Sequence, residues 1–380
     1  MSLFSFRQSC ECSGHVPHMA SNIICLLLFG KRFGYQDDFI KTYVYNFTEI
    51  NKPREWTLGL FCMIVSTVVS PLTTAIQQRP LPLMEKLKNM TSSLIKEQMK
   101  TRVTGQPRNY VDCFLDEMDK RADESKHFSS EELLMSCLNL HSAGTDTTSN
   151  TLLHCLPLPH DHPHIQWRHI QGKVLTSRGK VLTSRGKVLT SGVRSSHPGG
   201  SLLNVSSSER CQQEIDRVLQ GKDSVTYDDR HNMPYVQAVV HESQRMADTV
   251  PLSVVHCTTR DTQLTGYSIP KGTIIIPNLS SALSEEGQWK FPHQFNPENF
   301  LSREGEFVKP DAFLPFSAGP RVCMGEGLAR MELFLILVTL LRKFRFIWPE
   351  DAGEPDYELV FGATVTPKPY NMKVEMRDTQ

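Results

Sequence analysis

An excess of charge of either sign is missing from this chain: 41 Lys and Arg balance 41 Asp and Glu over 380 residues. That balance excludes the basic footprint on which nucleic-acid binding depends. A glycine-rich phosphate loop between strand and helix is also missing, so no nucleotide site of its own is expected. The ten cysteines have no framework spacing, Cys10 and Cys12 apart, and no clear signal peptide precedes them. Reduced thiols in a cytosol-facing protein are the expectation. An N-terminal membrane anchor is not expected from the opening Met-Ser-Leu-Phe-Ser-Phe-Arg, which is too short and too polar. Thr57 to Gln78 carries no charge and is long enough to span, but Pro71 and six Ser or Thr residues make it a poor span. A buried or surface-lying segment is expected there.

What is present concentrates at residues 316–330, Phe-Ser-Ala-Gly-Pro-Arg-Val-Cys-Met-Gly-Glu-Gly-Leu-Ala-Arg. Cys323 stands between Gly319 and Gly325, and an apolar run from Leu328 to Leu341 predicts a buried helix immediately after it. A cysteine at a helix start meets unpaired backbone N–H groups and the positive end of the dipole, which favour an anionic sulfur. Glycines on both sides let a large flat ligand approach the backbone. Arg321 adds a fixed positive charge that can pair with an anionic arm of that ligand. Such a set suits a haem iron with carboxylate side arms. A free cysteine is more commonly a small buried apolar residue, so support has to come from elsewhere in the chain.

Residues 129–156 predict a helix, opened by a capping box of Ser129 and Glu132 and carried by Leu133, Leu134, Cys137, Leu138 and Leu140. Its middle, Ala143-Gly-Thr-Asp146-Thr147-Thr148, is poor helix material. A hydroxyl there can bond a carbonyl one turn back and open the helix locally. Small Ala143 and Gly144 would leave room for a flat ring, and Asp146 with Thr147 could pass protons. By itself this segment reads better as a helix bend with a threonine cluster. Glu242 and Arg245 share one helix face at i,i+3. Such a pair is worth little unless buried, and Val236, Val239, Val240 and Met246 around it suggest burial.

The loop resembles the haem-binding loop of the cytochrome P-450 family. Phe316, Gly319, Arg321, Cys323, Gly325, Leu328 and Ala329 match that family's pattern at every position. The helix at 143–148 is similar to the family's central Ala-Gly-x-Asp/Glu-Thr-Thr/Ser segment, which lines the oxygen pocket. Glu242 and Arg245 match its Glu-x-x-Arg lock. Asn299, in Phe295-Asn-Pro-Glu-Asn-Phe300, stands where many members carry Arg or His, which implies a weaker or differently bonded triad. His256 matches a position that commonly reaches a haem propionate. Leu252 to Val255 and Phe361 to Val365 match pocket-walling strands, with Gly266 to Gly272 expected as a hairpin between them.

The resemblance implies a single, mainly α-helical domain with small β-sheets over 1–380, incomplete relative to the family. Haem (heme, iron protoporphyrin) would be held by Cys323 as the axial thiolate. The implied activity is a monooxygenase inserting one atom of O₂ into small hydrophobic substrates such as xenobiotics, fatty acids or steroids. Asp146 and Thr147 would serve catalysis, and Ala143, His256, Phe316, Gly319, Arg321, Gly325 and Ala329 would bind the cofactor. A separate NADPH-dependent reductase and cytochrome b5 would supply electrons, at the cytosolic face of the endoplasmic reticulum membrane. The cysteine loop, Arg260-Asp-Thr and the Phe295-Asn-Pro-Glu-Asn-Phe300 context resemble the vertebrate family-two microsomal type.

Two departures qualify this. The family's Trp-x-x-x-Arg helix, which clamps a propionate, is not found; Trp56 follows Arg54 and Glu55 in the wrong order. Residues 157–208 carry Gly-Lys-Val-Leu-Thr-Ser-Arg from Gly172 and again from Gly179, with a partial third copy from Gly186. So short a period buries nothing, so a disordered low-complexity insertion is expected there. His160, His162 and His164 just before it are expected to be solvated rather than metal-binding. The alternative to the monooxygenase is a degenerate relative with weak haem binding or none. A peroxide-rearranging haem-thiolate isomerase fits less well, because the acid–alcohol pair is retained.

Overall fold

A computed structural model of the protein describes residues 9–51, 81–121, 128–157, 206–353, 356 and 358–377. Trp56, Thr57 to Gln78, the three alternating histidines and the heptad copies lie outside these. Among the described residues no helix is long and apolar enough to cross a membrane.

The described residues form nine α-helices in chain order: α1 (Cys12–Phe29), α2 (Asp38–Asn51), α3 (Leu81–Thr101), α4 (Tyr110–Lys120), α5 (Ser130–Cys155), α6 (Ser207–Val218), α7 (Pro234–Ala247), α8 (Leu279–Ser284) and α9 (Glu326–Lys343). Strands are short. β1 (Ser9–Glu11), β9 (Asn371–Met376) and β6 (Phe344–Ile347) form an antiparallel sheet in that order, with Phe346 opposite Val374. Three two-stranded pairs complete the set: β2 (His256–Cys257) with β5 (Ile274–Ile275), β3 (Thr262–Leu264) with β4 (Tyr267–Ile269), and β7 (Leu359–Phe361) with β8 (Val365–Pro367). The mainly helical class with small sheets is as expected.

α5 is the axis. Ser129 Oγ accepts from the Glu132 N–H at 3.2 Å, and the Glu132 carboxylate accepts from the Ser129 N–H at 3.1 Å, closing the expected box. Its first half packs with α1, α3 and α4 through Leu133 and Cys137. Its last turns, Leu152 to Leu156, join a second core with α6, α7, α9, β6 and β9. α9 covers Glu326–Lys343, containing the apolar run. Gln212 of α6 donates to the Leu341 and Phe344 carbonyls at 3.2 and 3.1 Å, occupying acceptors that the helix end leaves open.

Four expectations need correction. Three side chains bond back one turn: Thr147 to Ala143 O, Ser149 to Thr145 O and Thr151 to Thr147 O, yet α5 stays α-helical throughout. Packing on both sides holds what propensity disfavours. The segment 157–208 does not end outside the fold: Ser206 caps α6 with Glu209, and buried Ser207 bonds the Tyr235 hydroxyl at 2.9 Å. Leu252 to Val255 is turn and loop, with Ser253 at φ 53°, and the strand begins only at His256. The hairpin turns at Thr265-Gly266 between β3 and β4, both at positive φ, rather than spanning Gly266 to Gly272. In the same way, 362–364 is the turn between β7 and β8 rather than strand.

Candidate functional site: the cysteine loop and its frame

The loop before α9 is held by its own backbone. Gly319–Arg321 makes one 3₁₀ turn, the Cys323 N–H donates to Phe316 O at 3.0 Å, and the Glu326 N–H donates to Cys323 O at 3.3 Å. Ser317 and Gly319 sit at φ 64° and 73°. Glycine is required at 319 by that conformation, while Ser317 carries strain of the kind found at functional loops. Gly325 has φ −87°, and a Cβ there would meet Cys323 Sγ at only 3.8 Å, an ordinary contact. Gly319 therefore shapes the loop, and Gly325 leaves it bare.

Cys323 is exposed, three residues before α9, and its Sγ has no hydrogen bond among the described residues. The buried cysteines are chemically different. Desolvation pushes the Cys25, Cys137 and Cys155 thiols up to about 12 and raises Cys211 as well. Cys113 and Cys257 are also exposed but belong to α4 and β2. Arg321 is exposed and His256 half-buried, and neither side chain has a partner among the described residues. Phe316 lies under the Arg330 guanidinium at 5.4 Å, and Ala329 is half-buried on the first turn of α9.

On α5, Ala143 is exposed, but Gly144 is not free space for a ring. A Cβ there would lie 2.6 Å from Ile24 Cδ1, so Gly144 admits α1 rather than a ligand. Asp146 and Thr147 are not bonded to each other. Thr147 Oγ1 donates to Ala143 O at 2.8 Å, while the Asp146 carboxylate accepts from Thr364 Oγ1 in the β7–β8 turn. Burial raises the Asp146 carboxyl above its usual range, and the Thr364 hydrogen bond opposes this. Asn150 also reaches Thr364, at 3.0 Å, and Val365 N donates to Thr249 O at 2.8 Å. The acid is thus tied to the C-terminal hairpin. Thr364 was not foreseen, because 218 residues separate it from Asp146.

Below the loop, Glu242 and Arg245 are buried and meet twice at 2.7 Å. Arg245 also donates to the carbonyls of Leu283, Pro292, Phe291 and Gln294. Asn299 does not leave the triad open. Its Nδ2 donates to both Glu242 oxygens at 3.2 and 3.3 Å, and its Oδ1 accepts from Phe291 N at 2.9 Å. An amide offers both functions, where a cationic side chain would offer donors alone.

A haem requires a soft axial donor, apolar walls and partners for its carboxylates. Cys323 Sγ could serve as the donor, and Arg321 and His256 have no side-chain partner among the described residues. Leu252, Val254, Val255, Val322 and Phe361 expose large apolar surface. The residues present fit the group.

Similarity to known proteins agrees with this chemistry. The family model described as Cytochrome P450 matches residues 4–175 and 204–374. Cytochrome P450 2D14 of Bos taurus is 38% identical over 355 residues, covering 93% of this chain and 62% of the relative. Cytochrome P450 2F3 of Capra hircus is 33% identical over 371 residues, covering 95% and 65%. Cytochrome P450 2D6 of Homo sapiens is 35% identical over 362 residues, covering 95% and 64%. The chain spans less than two thirds of the length of these relatives. With the cysteine loop, the α5 segment and the buried Glu242–Arg245 pair all in place, the chain belongs to the cytochrome P450 family and is of family-two type.

Proposed function

We propose that this chain is the haem-binding part of a monooxygenase that places one oxygen atom from O₂ into small hydrophobic molecules. The single observation that supports this best is Cys323, exposed and without a side-chain partner among the described residues, on a loop braced by the Cys323 N–H to Phe316 O and Glu326 N–H to Cys323 O hydrogen bonds. When bound, the haem would supply the oxygen-activating chemistry, favoured by a thiolate donor.

The chain's own residues have separable tasks. Cys323 donates Sγ, Arg321 and His256 pair with the propionates, and the N–H bond to Phe316 O fixes where the sulfur points. Ala143 and the exposed Leu252, Val254, Val255 and Phe361 exclude water and receive apolar substrate. Asp146 holds a proton more readily than an ordinary carboxyl, and Thr147 passes one by turning its hydroxyl away from Ala143 O. Electrons come from an NADPH-dependent reductase, with cytochrome b5 as a second donor, at the cytosolic face of the endoplasmic reticulum. Xenobiotics, fatty acids and steroids are the substrate classes.

The test is reconstitution with haemin, reductase and NADPH, followed by a search for hydroxylated products from a panel of these three classes. Oxygenated product that depends on both NADPH and O₂ supports the reading. Stoichiometric haem uptake with no product from any class would contradict it, and no uptake would favour the non-catalytic relative.

A further inference from the structure

His241 lies beside Glu242 on α7, buried among Phe300, Phe307 and Phe313, with ring centroids 5.6, 4.5 and 5.3 Å away. Its Nδ1 is 2.7 Å from Gln237 O, and its Nε2 is within hydrogen-bond distance of Arg330 Nη1. A guanidinium has no lone pair to offer, so Nε2 must accept and Nδ1 must carry the proton. One neutral tautomer satisfies both contacts. Burial first, and then the Arg330 charge, lower the pKa of the imidazole to about 3, so that tautomer persists at neutral pH.

Arg330 in turn grips both ends of the cysteine loop. Its Nε donates to Glu326 Oε1 at 2.9 Å, and Glu326 N is bonded to Cys323 O. Its guanidinium lies over the rings of Phe313 and Phe316 at 5.7 and 5.4 Å, and Phe316 O accepts from Cys323 N. A long cationic side chain held at its tip by a rigid acceptor is confined in rotamer and direction, as the hydrogen-bond partners of metal-ligating side chains confine those ligands.

We propose that His241 is a positioning residue for Cys323: it fixes Arg330, and Arg330 clamps Phe316 and Glu326 on either side of the sulfur. The proposal rests on Cys323 as the iron ligand for its consequence, but not for the clamp itself. His241 touches neither iron nor substrate, and its effect is read in the orientation of Sγ.

Two readouts on the full chain test it. In haem-free protein, the alkylation rate of Cys323 by iodoacetamide is compared with that of Cys113 in the same molecule. In haem-loaded, reduced protein, the carbon monoxide spectrum gives the ratio of thiolate-type to thiol-type bands. His241→Phe keeps an aromatic ring among the phenylalanines but removes the acceptor. It should change both ratios by about tenfold, the shift that accompanies loss of one hydrogen bond to a charged group. His241→Gln, which restores an acceptor oxygen, should stay within about twofold of the unmodified chain, and Arg330→Gln should follow His241→Phe. Equal values in His241→Phe, His241→Gln and the unmodified chain would overturn the clamp. If His241→Phe does not fold, Arg330→Gln decides between the same outcomes. If the unmodified chain gives no thiolate band, the ligand reading fails, while the alkylation ratio still decides the clamp.

Discussion

Glu242 and Arg245 face each other through two 2.7 Å hydrogen bonds with side-chain exposures of 0% and 1%, and Asn299 bonds both carboxylate oxygens from the other side. Burial raises the Glu242 pKa, while Arg245, the Asn296 N–H and Asn299 oppose that rise. Removing one partner leaves a charge in the core. Arg245→Met should therefore cost about 3–5 kcal/mol. Asn299→Ala, which loses hydrogen bonds but no charge, should cost about 1–3 kcal/mol. Urea unfolding curves followed by circular dichroism measure both, and equal costs would show that the buried charge is not the main term.

Glu332 of α9 gives a pH prediction. It is buried against Thr148 of α5 with Oε1 unpartnered, and desolvation lifts its pKa to about 7 from an ordinary 4.5, opposed by the Thr148 bond. An acid whose folded pKa is raised holds its proton longer in the native state than in the unfolded one. Its contribution to stability therefore falls as pH rises from about 4.5 to about 7 and is constant above that. Glu332→Gln removes this dependence. The stability of the variant relative to the original should rise by about 3 kcal/mol across that window. A gap that does not vary with pH would place the carboxyl in solvent.

Thr147→Ala removes a hydroxyl that is internally bonded to Ala143 O and reaches no other element. Haem uptake and the melting temperature should be unchanged. With reductase supplied, reducing equivalents should leak to hydrogen peroxide while oxygenated product falls by roughly a hundredfold, the low end of what a positioned proton donor contributes. NADPH consumed, peroxide released and product formed are measured together. Unchanged coupling would remove Thr147 from proton delivery.

Local signals were legible in the sequence, and tertiary ones were not. Ser129 and Glu132 announce the start of α5 because a capping box needs only residues three apart. The cysteine loop is equally local: conformation and exposure follow from glycines and a proline within a few positions. Gly144 was misread because the group that needs its missing Cβ is Ile24, on another helix. Leu252 to Val255 has the composition of a strand, but Ser253 at positive φ turns the chain before a partner can pair. At Asn299 the sequence leaves a weaker or a differently bonded triad open, and only the fold, by bringing Phe291 N to its acceptor oxygen, selects the second. His241 and Arg330 went unnoticed, although a histidine beside Glu242 and an arginine directly after Leu328-Ala329 are visible. Nothing in their separation of 89 residues says that they touch.

The central claim is that Cys323 is the iron's protein ligand, and the carbon monoxide spectrum of reduced, haem-loaded protein tests it most directly. The original chain should give the strongly red-shifted Soret band that a thiolate donor produces, and Cys323→Ser should lose it while Cys257→Ser and Cys113→Ser keep it. Retention of that band in Cys323→Ser would mean that another cysteine holds the iron, and the site built here on the loop before α9 would be wrong.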